Sequence, residues 1–183
     1  MGSITGSGHL GGIVSTLSGT VENCAFEGSV TNYGPSYGSV SLGAIAGRAQ
    51  KGSSIRGCAV SAELKNNTAS YNTALHTGFI AGYAYGIIEN CYATGSVWAD
   101  SSRDTNSALG GLVGTLYADG TLRNAYFSGT VTGPENGIGL VIGTNAGTVE
   151  NTFFLPNGSI PAVADNTAST APDTKAISAD EMR

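Results

Sequence analysis

The fold of this chain is decided by the stretch Gly110-Gly-Leu-Val-Gly-Thr-Leu-Tyr-Ala-Asp-Gly-Thr-Leu-Arg-Asn-Ala-Tyr-Phe-Ser-Gly-Thr-Val131, which occurs five times in altered form. The copies follow one another at intervals of roughly 30 residues, a period typical of stacked-repeat architectures. In such an array each unit buries its apolar face against its neighbours. When the copies are aligned on the second glycine of this stretch, that position is occupied by Gly12, Gly43, Gly78, Gly111 and Gly139.

Each copy contains two short apolar pieces separated by a turn glycine. In the third copy these are Gly78-Phe-Ile-Ala-Gly82 and Ile88-Glu-Asn-Cys-Tyr-Ala93. Such pieces are too short and too rich in β-branched or aromatic residues for helices, and glycine at their ends breaks helices. We therefore predict strands and an all-β fold, a right-handed single-stranded parallel β-helix (a β-solenoid) of about five coils. The rival architecture is a β-propeller, whose four-stranded blades need about 40 residues each.

In-register stacking turns every repeat position into a column of side chains. One aliphatic column is predicted to point inward, at Val21, Ile55, Ile88, Leu122 and Val149. A nearby column alternates Asn with Gly, which predicts a backbone position with positive φ. Its members are Asn23, Gly57, Asn90, Asn124 and Asn151.

A third column alternates in charge up the rod, through Glu22, Arg56, Glu89, Arg123 and Glu150. We interpret it as an outward, solvated ladder of ion pairs that fixes the register of the coils, each pair contributing roughly 0.2–1 kcal/mol. A catalytic interpretation is less favoured, because the carboxylates fall on alternate coils.

The repeats and the tail predict two segments. Residues 1–161 form the five-coil β-solenoid, with repeats near 9–30, 42–64, 77–97, 110–131 and 138–160. Residues 162–183 form a polar linker. Within it, Ser178-Ala-Asp-Glu181 matches a capping box, which predicts the start of a short helix.

Composition excludes several classes of partner. Only 11% of the 183 residues are charged, the net charge is −5, and the eight Lys and Arg are scattered. A nucleic-acid partner needs clustered basic residues, so none is expected. No apolar run approaches the roughly 18 residues that span a bilayer, so we expect no membrane insertion of this segment. The abundance of Gly, Ser, Thr and Asn favours an exported protein.

The residues that usually carry chemistry do not form a recognisable site. Cys24, Cys58 and Cys91 share a column that later copies fill with Ala125 and Thr152, which predicts small, buried, unpaired thiols. The two histidines, His9 and His76, have no zinc-binding spacing. We predict no catalytic residue, no metal and no cofactor. A polysaccharide-active β-helix enzyme is the less favoured alternative, because it needs clustered carboxylates on one face.

Polar insertions follow the same position in four copies, at residues 31–41, 65–76, 98–108 and 132–137. Insertions at one point of a repeat project from one side of a solenoid, often its binding side. Aromatic rings beside polar groups can stack on sugars or contact a protein partner. The alternative is that these rings shield a sheet edge or pack on a neighbouring loop. The candidate ligand-binding residues are Tyr33, Tyr37, Tyr71, His76, Trp98, Asp100, Arg103 and Asp104.

Three runs resemble the GLUG-motif repeat of bacterial surface proteins. They are Gly110-Gly-Leu-Val-Gly114, Glu89-Asn-Cys-Tyr-Ala-Thr-Gly-Ser-Val97 and Arg123-Asn-Ala-Tyr-Phe-Ser-Gly-Thr-Val131. The resemblance extends over residues 9–160 and is strongest in copies three and four. It implies a β-solenoid in a secreted or surface-anchored bacterial protein, such as an adhesin-like protein or the non-catalytic region of an IgA-specific metallopeptidase. No catalytic residue carries over, because the zinc motif of the protease is missing from this sequence.

Two functions therefore compete. The chain is either an adhesin-like segment that binds a glycan or a host surface protein through its insertions, or a structural stalk that carries other domains of a longer chain. We favour binding, because a rod that only separates domains does not need four insertions with large aromatics on one side. The expected location is extracellular or on the bacterial cell surface.

Overall fold

A computed structural model describes residues 2–33, 38–67, 73–99, 107–133 and 137–181. Within these ranges the regular elements are all β-strands, without a helix, and the strands pair in parallel. They form three sheets, called A, B and C below, each built from strands contributed by successive repeats. The predicted class, an all-β parallel β-solenoid, is confirmed, while its right-handed winding stays a prediction.

Sheet B contains one short strand from each repeat: β2 (Leu10–Gly11), β6 (Gly38–Gly43), β10 (Thr73–Thr77), β14 (Ala108–Gly110) and β17 (Ile138–Gly139). Sheet C follows it along the chain, with β3 (Val14–Leu17), β7 (Ala46–Ala49), β11 (Ala81–Ala84), β15 (Val113–Leu116), β18 (Ile142–Asn145) and β20 (Val163–Asn166).

Sheet A completes each turn and is the largest sheet. In each of the first three repeats, a short strand and a long strand join this sheet. In each of the last two repeats, a single strand covers the positions of both. Its members are β1 (Gly2–Gly6), β4 (Thr20–Glu22), β5 (Ala25–Tyr33), β8 (Ser54–Arg56), β9 (Ala59–Asn67), β12 (Ile87–Glu89), β13 (Tyr92–Ala99), β16 (Thr121–Thr132), β19 (Thr148–Phe154) and β21 (Thr174–Ala176).

The number of complete turns differs slightly from the predicted five. Repeats two, three and four have a hydrogen-bonded neighbour on both sides in all three sheets. The first and fifth repeats are terminal turns, each of which has an unpaired edge in at least one sheet. The solenoid thus has about three fully enclosed turns.

The glycine of each repeat marks a sharp corner between sheets B and C. The first apolar piece, predicted to be one strand, contains this corner: Phe79 and Ile80 form a bend between β10 and β11. In the two copies with a doubled glycine, the first glycine is the one in register, since Gly11 pairs with Gly43 and Gly110 with Gly139. A Cβ at Gly110 would lie 1.9 Å from the carbonyl oxygen of Val113, so only glycine fits this corner.

The predicted aliphatic column is confirmed by the strand register. Val21 pairs with Ile55, Ile55 with Ile88, Ile88 with Leu122, and Leu122 with Val149. The last four are buried, and Val21 packs half-buried against the same core. Burial of each such side chain contributes about 1.5–3 kcal/mol, which makes this column a main source of stability.

The predicted column of positive φ is also confirmed, with values between 47° and 59°. Asn and Gly are the residues that tolerate this conformation best. At the end of the column, Asn151 Nδ2 donates to Asn124 Oδ1 at 2.7 Å. The members are Asn23, Gly57, Asn90, Asn124 and Asn151.

The charge ladder forms ion pairs from Glu22 to Arg123, while Glu150 is placed beside Arg123 by the strand register alone. Its centre is less solvated than predicted. Glu89 accepts from Arg56 Nε at 2.6 Å and from Arg123 Nε at 2.7 Å, and its side chain is only 13% exposed. Glu22 lies 3.7 Å from Arg56 and is half exposed. One carboxylate therefore bridges two guanidinium groups at the middle of the ladder.

The three cysteines are free, as predicted. Cys58 and Cys91 are buried, whereas Cys24 in the first turn is only partly buried. Each thiol donates to the carbonyl oxygen two residues earlier, and Thr152 Oγ1 makes the same bond at 3.1 Å in the fifth turn. A small side chain fits this column, and its donor adds a hydrogen bond to the carbonyl beside the Asn corner.

The tail differs from the predicted linker. Within residues 162–183, β20 extends sheet C beside β18, and β21 pairs with β19. The solenoid thus continues past residue 161. Ser178 and Glu181 make the hydrogen bonds of a capping box, with Ser178 N donating to Glu181 Oε2 at 2.8 Å, and residues 179–181 form a turn.

Candidate functional site

Strand β13 presents a row of aromatic and hydroxyl side chains on the outer face of sheet A. Tyr92 and Trp98 are 42% and 38% exposed. Thr94 and Ser96 lie between them and are half-buried, while the intervening Ala93, Val97 and Ala99 are buried in the core. The alternation follows the two-residue period of a strand, which places Tyr92, Thr94, Ser96 and Trp98 on one side.

Tyr92 begins an aromatic column that crosses the same face. Its ring stacks on Tyr126 with centroids 5.2 Å apart and planes at 7°. Phe153 is the next register neighbour of Tyr126. On its other side Tyr92 pairs with Ala59, whose methyl group is too short to cover a phenol ring. One ring face of Tyr92 is therefore open.

The described residues around Trp98 are polar, and their charges balance. Trp98 pairs with Lys65 in β9 and with Thr132 in β16. Lys65 Nζ forms an ion pair with Glu63 at 2.9 Å, and the hydrogen bond and charge of Glu63 raise the pKa of Lys65. The positive charge beside the indole is thus matched by a negative one.

The structure separates the predicted ligand-binding residues into three groups. Trp98 and Tyr33, the latter 55% exposed, lie on strands β13 and β5 of sheet A rather than in loops. His76 lies in β10 and is 6% exposed. The remaining candidates, Tyr37, Tyr71, Asp100, Arg103 and Asp104, lie outside the described residues.

His76 belongs to a packed cluster where sheets B and C meet. Its ring stacks on Tyr83 with centroids 4.0 Å apart, and its Nδ1 lies 2.7 Å from Thr115 Oγ1. The guanidinium of Arg48 lies 5.5 Å from the centre of the Tyr83 ring and contacts His9 Nε2 at 3.4 Å. Burial, and then the charge of Arg48, lower the pKa of His9. His76 is thus part of a buried contact network.

Sequence reasoning missed Tyr92 and Tyr126 as surface residues. Both stand in the second apolar piece of their repeats, outside the insertions that supply the candidate ligand-binding residues. A usable signal was present, since Tyr92 alternates with the small Ala93 and follows the Asn corner at Asn90 by two residues. That spacing places it on the outer side of the strand.

The described residues show neither of two common kinds of site. They do not gather three or more His, Cys, Asp or Glu side chains in an arrangement that could hold a metal ion. They also contain no helix capable of crossing a bilayer. What the outer face of sheet A offers chemically is apolar ring surface with hydroxyl groups between.

Three sheets of parallel strands, one set per repeat, define the class of this chain as a β-solenoid repeat protein. Residues 74–97 and 105–132 match the family model of the GLUG motif. The chain carries GLUG-motif repeats in its third and fourth copies, and the resemblance drawn from the sequence is confirmed there. Fold and motif together fit a repeat segment of a larger protein. No curated protein and no solved structure gives a significant match.

Proposed function

We propose that this chain is a non-catalytic, adhesin-like recognition segment of an extracellular or cell-surface bacterial protein. Its ligand is a glycan chain that lies along β13 on the outer face of sheet A. The observation that carries the proposal is the outward-facing row Tyr92, Thr94, Ser96 and Trp98, with an exposed aromatic ring at each end.

The dimensions of the row suit an extended oligosaccharide. Tyr92 and Trp98 are six residues apart on one strand, so their Cα atoms are separated by about 20 Å. That length accommodates several sugar rings in a line. The open face of Tyr92 and the indole of Trp98 would pack on the apolar faces of terminal rings, since aromatic side chains combine large contact area with little loss of conformational freedom.

The polar groups of the row suit a neutral ligand. Thr94 and Ser96 provide hydroxyl groups between the rings, and Thr94 Oγ1 donates to the Ser128 carbonyl oxygen at 3.0 Å. A fixed hydroxyl presents its remaining lone pairs in a defined direction. The nearby Glu63 and Lys65 neutralise one another, which favours an uncharged glycan over an acidic one.

A non-catalytic role agrees with the chemistry of this face. Glycoside cleavage by paired carboxylates requires two acids facing each other across the bond, about 5 to 10 Å apart. In the described part of sheet A, Glu63 is engaged with Lys65, and Glu89 is engaged with Arg56 and Arg123. Glu27, exposed on β5, forms no ion pair with a described residue. Glu63 and Glu89 thus serve as partners of basic side chains.

The second candidate function is a structural stalk for other domains of the same chain. The regular aliphatic column and the ion-pair ladder favour it, because both stiffen the stacking of turns. A stalk alone gives no reason to expose Tyr92, Trp98 and Tyr33 on one sheet. For this reason we favour recognition.

A glycan array followed by fluorescence titration tests the proposal. Trp98 is the only tryptophan, so its emission reports directly on this face. We expect a neutral oligosaccharide to change the emission, and Tyr92→Ala to weaken its binding about tenfold, as loss of one aromatic stack implies. The matched control is Ile13→Ala, which removes an exposed apolar side chain that belongs to neither proposed site. Absence of any glycan or host-protein ligand at millimolar concentration would leave the stalk as the function.

A further inference from the structure

A second site lies along sheet C and does not depend on the proposed role of sheet A. It is an open cavity with a volume of about 290 Å³. Three successive strands of sheet C and one residue of sheet B contribute to it. Its lining residues are His76, Thr115, Tyr117, Thr144, Ala146, Asp165 and Thr167.

The wall of the site is an aromatic ring with one covered and one open face. Tyr117 stacks on Tyr85 with centroids 4.1 Å apart and planes at 7°. The neighbour of Tyr117 in the next turn is Ala146, because the backbone N–H of Ala146 donates to the carbonyl oxygen of Leu116, the residue before Tyr117. On that side the Tyr117 ring has only the small side chain of Ala146 as its register neighbour, and Tyr117 and Ala146 both line the cavity.

The rest of the lining is a ladder of hydroxyl groups that ends in a carboxylate. Thr115 pairs with Thr144, and Thr144 pairs with Asp165. Thr115 is 6% exposed, and its Oγ1 is held by His76 Nδ1 at 2.7 Å. Thr167 Oγ1 donates to the Asn145 oxygen at 3.2 Å, so it presents lone pairs to the site. Asp165 is exposed at the open end.

We propose that this site binds one uncharged pyranose ring. The apolar face of the sugar packs on Tyr117, its hydroxyl groups exchange hydrogen bonds with Thr144 and Thr167, and a sugar hydroxyl donates to the Asp165 carboxylate. Among the described residues no Lys or Arg lines the site, so a uronate or another acidic sugar is repelled by Asp165. An aromatic platform with a few convergent polar groups is the usual form of a small-ligand site.

Titration of the whole chain with methyl hexopyranosides, followed by NMR of the tyrosine ring signals, tests this site. We expect at least one neutral hexoside to shift the Tyr117 signals, while glucuronate does not. Asp165→Asn should weaken binding about tenfold through loss of a charge-assisted hydrogen bond. Asp165 is exposed, so this variant folds; Asp180→Asn, which removes an exposed acid of the tail, is the matched control.

The two proposals fail separately. If Asp165→Asn weakens the Tyr117 response and leaves the Trp98 response unchanged, the Tyr117 response comes from the site on sheet C. No Tyr117 shift with any neutral hexoside, or equal binding of glucuronate, overturns the present proposal whatever Trp98 reports. Loss of binding in Asp180→Asn would also overturn it, because that residue is not part of the site.

Discussion

The first and third turns of the solenoid carry similar residues at the same repeat positions, yet their environments differ. Ile88 of the third turn is fully buried, whereas Val21 of the first turn is only half-buried. Glu89 is held by two arginines and 13% exposed, whereas Glu22 contacts one arginine at 3.7 Å and is half exposed.

The cause is the number of neighbouring turns. Strand β12 of the third turn pairs with β8 and with β16, whereas β4 of the first turn pairs only with β8. The same repeat position is therefore a core position inside the stack and a partly exposed one at its end. Burial in this fold is a property of the neighbours as much as of the residue, as expected for a quasi-one-dimensional array.

The largest difference between the turns should appear in the aliphatic column. Ile88→Ala leaves a cavity between two covered layers and should lower the free energy of unfolding by about 2–5 kcal/mol. Val21→Ala at the open end should cost about 1 kcal/mol, because the site is already partly hydrated. Urea denaturation followed by circular dichroism measures both. Equal losses would show that the end turn is packed as tightly as the middle.

The ion-pair ladder should show a smaller difference of the same sign. Glu89→Gln removes the partner of both Arg56 and Arg123 and should cost about 1–2 kcal/mol. Glu22→Gln should cost at most about 0.5 kcal/mol, since a surface pair contributes little. Denaturation at low and high salt would test this. A loss in Glu89→Gln no greater than that in Glu22→Gln would contradict the bridging role.

The Asn column should show no difference between the turns, because its constraint is local. Asn23 and Asn90 have φ values of 52° and 55°. Replacement of either by Ala should cost about 1–2 kcal/mol, the penalty for an L-residue in the left-handed region, whereas replacement by Gly should be nearly neutral. The same denaturation assay applies. If Ala cost much more at Asn90 than at Asn23, side-chain contacts rather than backbone conformation would explain the column.

The three thiols should react at different rates in the folded protein. Burial raises the pKa of Cys91 to about 12 and also raises the pKa of Cys58. At pH 8 only about one Cys91 in 10⁴ is then a thiolate, the reactive form. A disulfide exchange reagent should label Cys24 first, and the other two only after denaturation. Rapid labelling of Cys91 in the native protein would refute this order.

Much of the repeat framework could be predicted from the sequence because it follows from local rules. The positive φ at Asn90 and Asn124 follows from residue type, and the pairing of Ile88 with Leu122 follows from aligning two similar copies. At the doubled glycine the sequence alignment is one residue out of register, since it matches Gly111 rather than Gly110 with Gly139. The sequence does not show which of the two glycines approaches the carbonyl of Val113.

Other features depend on contacts between residues far apart in sequence. The polar tail carried no strand pattern, and β20 and β21 form because β18 and β19 offer open edges. His76 and Trp98 both occur in predicted insertions, yet one is buried against Tyr83 and the other is exposed beside Lys65. Nothing in their immediate sequence distinguishes them.

The sequence by itself determined the period, the strands, the aliphatic and Asn columns and the GLUG motif, because each follows from residue type at a fixed spacing. Only the tertiary structure decided which aromatic rings reach the surface, how far Glu89 and the thiols are buried, and how Tyr117 and Asp165 come to share one cavity. Those outcomes depend on which turn lies above and below each residue. Stacking brings into contact side chains that are a full repeat apart in the chain.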